Sequence, residues 1–190
     1  MKSRTETINE LIKERGYTSY LEIGLGDGNN FTSIKCDLKH GVDPDKKWNA
    51  VSFTHLRSNG KLATVESDEF FVLNGASYDL IFIDGLHHSD QVERDIVNAW
   101  NCLNKGGMIL IHDVKPPSLE ATIVPRKQDQ WTGDVFKAWN GFKEKYPKIK
   151  TGYIDEIYGL GVIEKSRHKV ELGFVSDIGF ADYMKIEGWK

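Results

Sequence analysis

Residues 20–45, YLEIGLGDGNNFTSIKCDLKHGVDPD, decide how the rest of the chain is read. Tyr20, Leu21 and Ile23 make an apolar, β-prone run around Glu22, and Gly24, Gly26 and Gly28 follow at every second position. Without Cβ atoms such a turn can bend tightly and bring its backbone close to a ligand. The next strand, expected near residues 39–42, ends in Asp43, nineteen positions after Gly24. That is about the spacing at which a βαβ unit carries a carboxylate to the hydroxyls of a bound ribose. The stretch therefore predicts strand, glycine turn, short helix (residues 30–36) and an acid-tipped second strand.

The loop is not a dinucleotide fingerprint. That pattern is G-x-G-x-x-G, whereas this one is G-x-G-x-G, with Asn29 in the last glycine's place. Glu22-x-Gly24-x-Gly26-x-Gly28 followed by Gly41-Val42-Asp43-Pro44 resembles instead the cofactor loop of class I S-adenosylmethionine-dependent methyltransferases. The resemblance implies that the glycine loop wraps the methionine end of the cofactor and that Asp43 holds its ribose.

Outward from this stretch, the chain alternates strand-like and helix-like segments. Residues 1–17 carry Ile8, Leu11 and Ile12 at helical spacing, with Gly16 placed to stop the helix. Trp48, Val51 and His55 share a helical face, and residues 61–66 are predicted to form a third strand. Ser67 is expected to cap the next helix, with Asp68 and Glu69 complementing its dipole. Residues 78–83, YDLIFI, have the continuous apolar character of a parallel strand buried on both faces, and they deliver Asp84 at their carboxyl end, where open α/β sheets bind ligands. Ser89 is expected to cap a helix striped by Val92, Ile96, Ala99 and Leu103 and stopped by Gly106-Gly107. A fifth strand, residues 108–111, then delivers His112 and Asp113. Three of the five prolines fall within residues 115–134, which show no periodicity and are read as a substrate lid. After a helix carrying Val135, Trp139, Phe142 and Tyr146, residues 149–154 and 161–164 are two strands too close together for a crossover helix, so they are expected to pair antiparallel.

The expected fold is accordingly α/β: a Rossmann-like, doubly wound, mostly parallel seven-stranded sheet with one antiparallel strand near the C-terminus. A single domain spanning 1–190 is expected, with an N-terminal helix (1–17), the lid (115–134) and a C-terminal extension (166–190).

IDGLHHSDQVERDIVNAWNCLNKGGMILIHD, residues 83–113, narrows the resemblance to small-molecule O-methyltransferases similar to those acting on macrolide sugars and aminocoumarins; TGDVFKAW (132–139) and GLGVIEK (159–165) extend it over residues 18–165. The resemblance implies an enzyme transferring a methyl group from S-adenosylmethionine to a hydroxyl of a small molecule. Glu22, Gly24, Gly26, Gly28, Asp43, Ser67, Asp68 and Asp84 would bind the cofactor, with Ser67 or Asp68 near the adenine amine. Asp84, His87 and Asp113 would be catalytic. Asp84 and Asp113 match positions at which relatives hold a divalent ion, with His112 where a second acid or amide commonly stands; carboxylates suit Mg²⁺, whereas the imidazole favours Mn²⁺, Fe²⁺ or Zn²⁺. The alternatives are a nicotinamide-dependent oxidoreductase, disfavoured by Asn29, and an inactive nucleoside-binding module.

Composition bounds the rest. With 190 residues, 39% hydrophobic and 28% charged, the chain can bury roughly 70% of its unfolded surface in one core. A net charge of −3 gives no broad attraction to nucleic acid, so nucleic acid is not the expected substrate, and the small-molecule acceptor is what the resemblance implies. Cys36 and Cys102 lack metal or redox spacing, the first residues lack an apolar leader, and no run is long enough to span a membrane; a cytoplasmic protein is expected. Aromatic residues after 166 could pack onto the domain or build a homo-oligomer.

Overall fold

A computed structural model describes residues 2–45, 47 and 60–166. The segment with Trp48, Val51 and His55 and the C-terminal extension beyond Ser166 lie outside the described residues. The elements are α1 (Arg4–Arg15), β1 (Ser19–Ile23), α2 (Asn29–Ser33), β2 (Leu38–Val42), β3 (Gly60–Ala63), α3 (Ser67–Leu73), β4 (Tyr78–Ile83), α4 (Ser89–Cys102), β5 (Leu103–Ile111), α5 (Val135–Lys145), β6 (Lys150–Ile154) and β7 (Leu160–Glu164). They build one seven-stranded sheet in the order β3-β2-β1-β4-β5-β7-β6. β7 runs antiparallel to both β5 and β6, while β3, β2, β1, β4 and β5 are mutually parallel. The sheet is thus the mostly parallel, doubly wound one with a single antiparallel strand.

Alternation along the buried strands explains the two layers of helices. Leu21, Ile23, Ile81, Ile83, Ile109 and Ile111 face α4 and α5, where Val92, Ile96, Ala99, Trp139 and Phe142 meet them. Tyr20, Leu80, Phe82, Met108 and Leu110 face the other way, under Ile8 and Ile12 of α1 and Phe31 of α2. Since side chains point alternately to opposite faces, such strands read as unbroken apolar runs. α1 is closed at its start by a reciprocal cap between Ser3 and Glu6 and at its end by Gly16 in the left-handed conformation. Among the described residues, no helix is long and apolar enough to cross a membrane.

Several local expectations are corrected. Ser67 is the first helical residue of α3 rather than its cap, a place taken by Glu66, and its hydroxyl instead accepts a hydrogen bond from Gln91 Nε2 at 3.1 Å. Ser89 is not the cap of α4 either. His88 stands there, and the Asp134 carboxylate, forty-five positions away, accepts from the Ser89 N–H at 2.7 Å. Gly106-Gly107 does not stop α4, which ends at Cys102. The pair lies inside β5, where a Cβ on Gly107 would come 2.7 Å from the Asp79 carbonyl oxygen. β3 ends at Ala63, short of residue 66.

The sheet also aligns the strand ends. Backbone bonding continues one residue beyond the strands: Gly24 N–H donates to Val42 O (2.8 Å), Asp43 N–H to Ala63 O (3.2 Å), Asp84 N–H to Ile23 O (2.9 Å) and His112 N–H to Ile83 O (3.0 Å). Gly24, Asp43, Asp84 and His112 therefore stand in a row on the carboxyl edge. The strand order reverses between β1 and β4, the switch point at which such sheets open a crevice.

Candidate active site

A cavity of about 910 Å³ opens at that switch point, in the upper range for small-molecule sites. One wall is the glycine loop. Gly24 has φ +85°, and a Cβ there would fall 2.2 Å from the Asp84 carbonyl oxygen, so only glycine lets the β1 and β4 tips approach this closely. Asp43 holds the loop's shape, its Oδ2 accepting from Leu25 N–H at 2.8 Å and its Oδ1 from Asp45 N–H at 2.9 Å. A carboxylate offers about four lone-pair sites, so Asp43, which lines the cavity, can still accept from hydroxyls. Gly26 also lines the cavity, with open space where a Cβ would point; Gly28 has φ +78°, precedes α2 as its cap, and is not part of the lining.

Glu22 forms the buried floor. Tyr20 Oη donates to its Oε2 at 2.6 Å and Asn30 Nδ2 at 3.0 Å, yet burial outweighs both bonds and pushes the carboxyl up to about 8. The sign of the pH effect follows. Folding favours the protonated acid, so the stability it contributes is present below its ordinary value near 4.5 and is lost as pH rises toward 8. Glu22→Gln mimics the protonated form, and the variant is expected to gain stability relative to the parent by about 1.4 kcal/mol per pH unit across that window. Urea denaturation at pH 5, 6.5 and 8 measures this directly; pH profiles that run parallel would contradict the assignment.

At the far end, Ser67, Gln91 and Asp95 line the cavity together. Gln91 Nε2 bridges Ser67 Oγ (3.1 Å) and Asp95 Oδ1 (3.2 Å), and burial raises the Asp95 carboxyl to about 6 against those bonds. Asp68 lies outside the lining and pairs with Arg94 at 3.0 Å. Of the two residues expected there, only Ser67 reaches the cavity.

The opposite end gathers the β4 and β5 tips. His87 Nε2 lies 3.5 Å from Asp84 Oδ1 and 3.3 Å from Asp113 Oδ2, and His112 Nδ1 lies 3.3 Å from a carboxylate oxygen of each. His112 Nε2 is held from behind by Glu156 Oε2 (3.2 Å) and the Ile157 carbonyl (3.0 Å). Burial opposes charge on both rings, but the surrounding carboxylates more than offset it, raising His87 and pushing His112 up to about 12. Burial likewise works against the Asp84 charge, and hydrogen bonds from His112 and His87 with the Arg4 charge overcome it, holding this carboxyl well below the usual range. Asp113 has φ +62°, a conformation uncommon for a side chain outside glycine, as strained residues at functional sites often are.

Asp84, His87 and Asp113 offer ligand atoms within 4.8 Å of one another, whereas His112, held by Glu156, is not a member of that group. One imidazole with two carboxylates fits an ion that accepts nitrogen as well as oxygen, such as Mn²⁺, Fe²⁺ or Zn²⁺, better than Mg²⁺. Residues 131–134 close this end. Trp131 stacks on His87 with ring centroids 5.1 Å apart, and Asp134 N–H donates to the His87 carbonyl at 3.2 Å. Sequence reading missed Trp131, Gln91, Asp95 and Arg4 as lining residues. Their only signal was residue type, since each reaches the cavity through contacts distant in the chain.

Residues 16–114 match the family model described as a methyltransferase domain. No curated protein matched the chain. Among solved structures, the SAH-bound methyltransferase PaMTH1 of Podospora anserina is similar at 19% identity and a TM-score of 0.67, covering 88% of this chain and 80% of its own. The O-methyltransferase from Bacillus cereus in complex with SAH is similar at 14% identity and TM-score 0.65, over 85% and 80%. The O-methyltransferase TomG from Streptomyces achromogenes, in complex with SAM and involved in tomaymycin synthesis, is similar at 13% identity and TM-score 0.60, over 86% and 79%.

Proposed function

The chain belongs to the methyltransferase-domain family, and from that premise we propose that it transfers the methyl group of S-adenosylmethionine to a hydroxyl of a small molecule. The observation that carries the reading is the cavity at the β1/β4 switch point, with Asp43 on one side and the Asp84, His87 and Asp113 group on the other. The SAM- or SAH-bound state of three structurally similar proteins supports the cofactor. A cavity near 910 Å³ leaves room for an acceptor beside it.

Bound S-adenosylmethionine supplies a sulfonium methyl, transferred in line to the acceptor oxygen as the carbon–sulfur bond breaks. The chain's own task is to place that oxygen at about 3–3.5 Å and to remove its proton. His87 is the group for the second step: its ring is fixed by Trp131, and the proton it takes is stabilised by Asp84 and Asp113 on either side. Were a divalent ion used, Asp84, His87 and Asp113 would hold it and it would lower the pKa of the acceptor hydroxyl. Trp131 and the half-exposed Leu86 give the acceptor side an apolar wall suited to a small organic molecule.

The cofactor half is tested through Asp43. Losing a carboxylate that accepts ribose hydroxyls removes charge-assisted bonds, so Asp43→Ala is expected to lower affinity for S-adenosylhomocysteine tenfold to a hundredfold, about 1.5–3 kcal/mol. Calorimetry on a variant shown to be folded reads this, and unchanged affinity would remove Asp43 from the site.

A further inference from the structure

The cation nearest the β4 tip comes from α1, outside the span matched by the family model. Arg4 Nη1 lies 2.6 Å from Asp84 Oδ2, and its side chain lines the cavity. Helix stability does not call for it. Arg4 is the first residue of α1, where the positive end of the helix dipole favours acids and disfavours a guanidinium. Its position is nevertheless fixed: Arg4 N–H donates to Glu156 Oε1 at 3.2 Å, and the neighbouring Thr5 hydroxyl donates to Asn30 Oδ1 at 2.7 Å. Asn30 in turn holds Glu22 beneath the glycine loop. Arg4 thus stands at the β4 tip, and its neighbour Thr5 is tied to the residue that holds Glu22 beneath the glycine loop.

Resting on the cofactor reading above, the amino-acid end of S-adenosylmethionine would lie where the glycine loop meets Asp84. That end is a zwitterion, with an α-ammonium beside an α-carboxylate. The Asp84–Arg4 pair is its mirror in charge, and a guanidinium fork matches a carboxylate with two donors. We propose that Arg4 is the binding partner of the cofactor's α-carboxylate and Asp84 of its α-ammonium. The direct Asp84–Arg4 contact then opens into a ring of four alternating charges. No other basic side chain lines the cavity among the described residues, the histidines apart.

The test compares S-adenosylhomocysteine with 5′-methylthioadenosine, which keeps the nucleoside and sulfur but lacks the amino acid, by calorimetry on the full chain. Arg4→Ala is expected to weaken the first ligand roughly tenfold to a hundredfold and to leave the second within about threefold. Arg4→Lys keeps the charge and serves if the alanine variant does not fold; its preference for S-adenosylhomocysteine should also fall. Unchanged S-adenosylhomocysteine binding, or an equal loss for both ligands, overturns the Arg4 assignment while the cofactor reading stands. A parent protein that binds neither ligand overturns both.

Discussion

Alanine in place of His87 is expected to slow single-turnover methyl transfer about 10²–10⁴-fold, the range associated with loss of a positioned general base. The imidazole is about one-fifth exposed, stacks on Trp131, and directs Nε2 toward Asp84 at 3.5 Å and Asp113 at 3.3 Å. Such a ring is held by contacts on its face and its edge. Alanine would remove the proton acceptor and leave two carboxylates facing each other, whereas Asp43 and the glycine loop would be untouched. The loss should therefore fall on rate, with S-adenosylhomocysteine affinity little changed. A variant within about threefold of the parent, some 0.6 kcal/mol of barrier, would show that His87 does not carry the proton.

Gly24→Ala is expected to cost about 2–5 kcal/mol of stability. The left-handed backbone at φ +85° charges a side chain about 1–2 kcal/mol, and the new methyl would overlap the Asp84 carbonyl oxygen at 2.2 Å, adding roughly 1–3 kcal/mol of overpacking. That carbonyl cannot withdraw freely, because the Asp84 N–H is bonded to Ile23 O at 2.9 Å in register with the sheet. Gly26→Ala is the control. Its φ is +51°, but nothing lies within 4 Å of the added Cβ, so only the backbone cost of about 1 kcal/mol applies. Urea midpoints for the two variants should differ clearly; equal losses would mean that the tip-to-tip contact does not constrain position 24.

What could be read from sequence was what repeats with a local period or spacing. β1, β4 and β5 are buried on both faces and announce themselves as apolar runs, and the short link between β6 and β7 required antiparallel pairing. Asp84 and Asp113 followed from those strands because a strand's end fixes its last residue in space. The capping assignments failed for Ser67 and Ser89 because tertiary partners, Gln91 and Asp134, compete for those groups. Gly106-Gly107 looked like a helix stop, but the requirement there is close backbone packing inside a strand. Arg4 was invisible for a different reason: its partner Asp84 is eighty positions away, and a lone arginine in an amphipathic helix has no local signature. The Trp131–His87 stack, forty-four positions apart in sequence, is hidden in the same way.

The central claim, that this cavity is built for S-adenosylmethionine rather than a nicotinamide cofactor, is tested most directly by titrating the unmodified protein with S-adenosylhomocysteine and with NADH in parallel calorimetric runs. Saturable one-to-one binding of S-adenosylhomocysteine with no heat from NADH is the expected result. Saturable NADH binding without S-adenosylhomocysteine binding would contradict it.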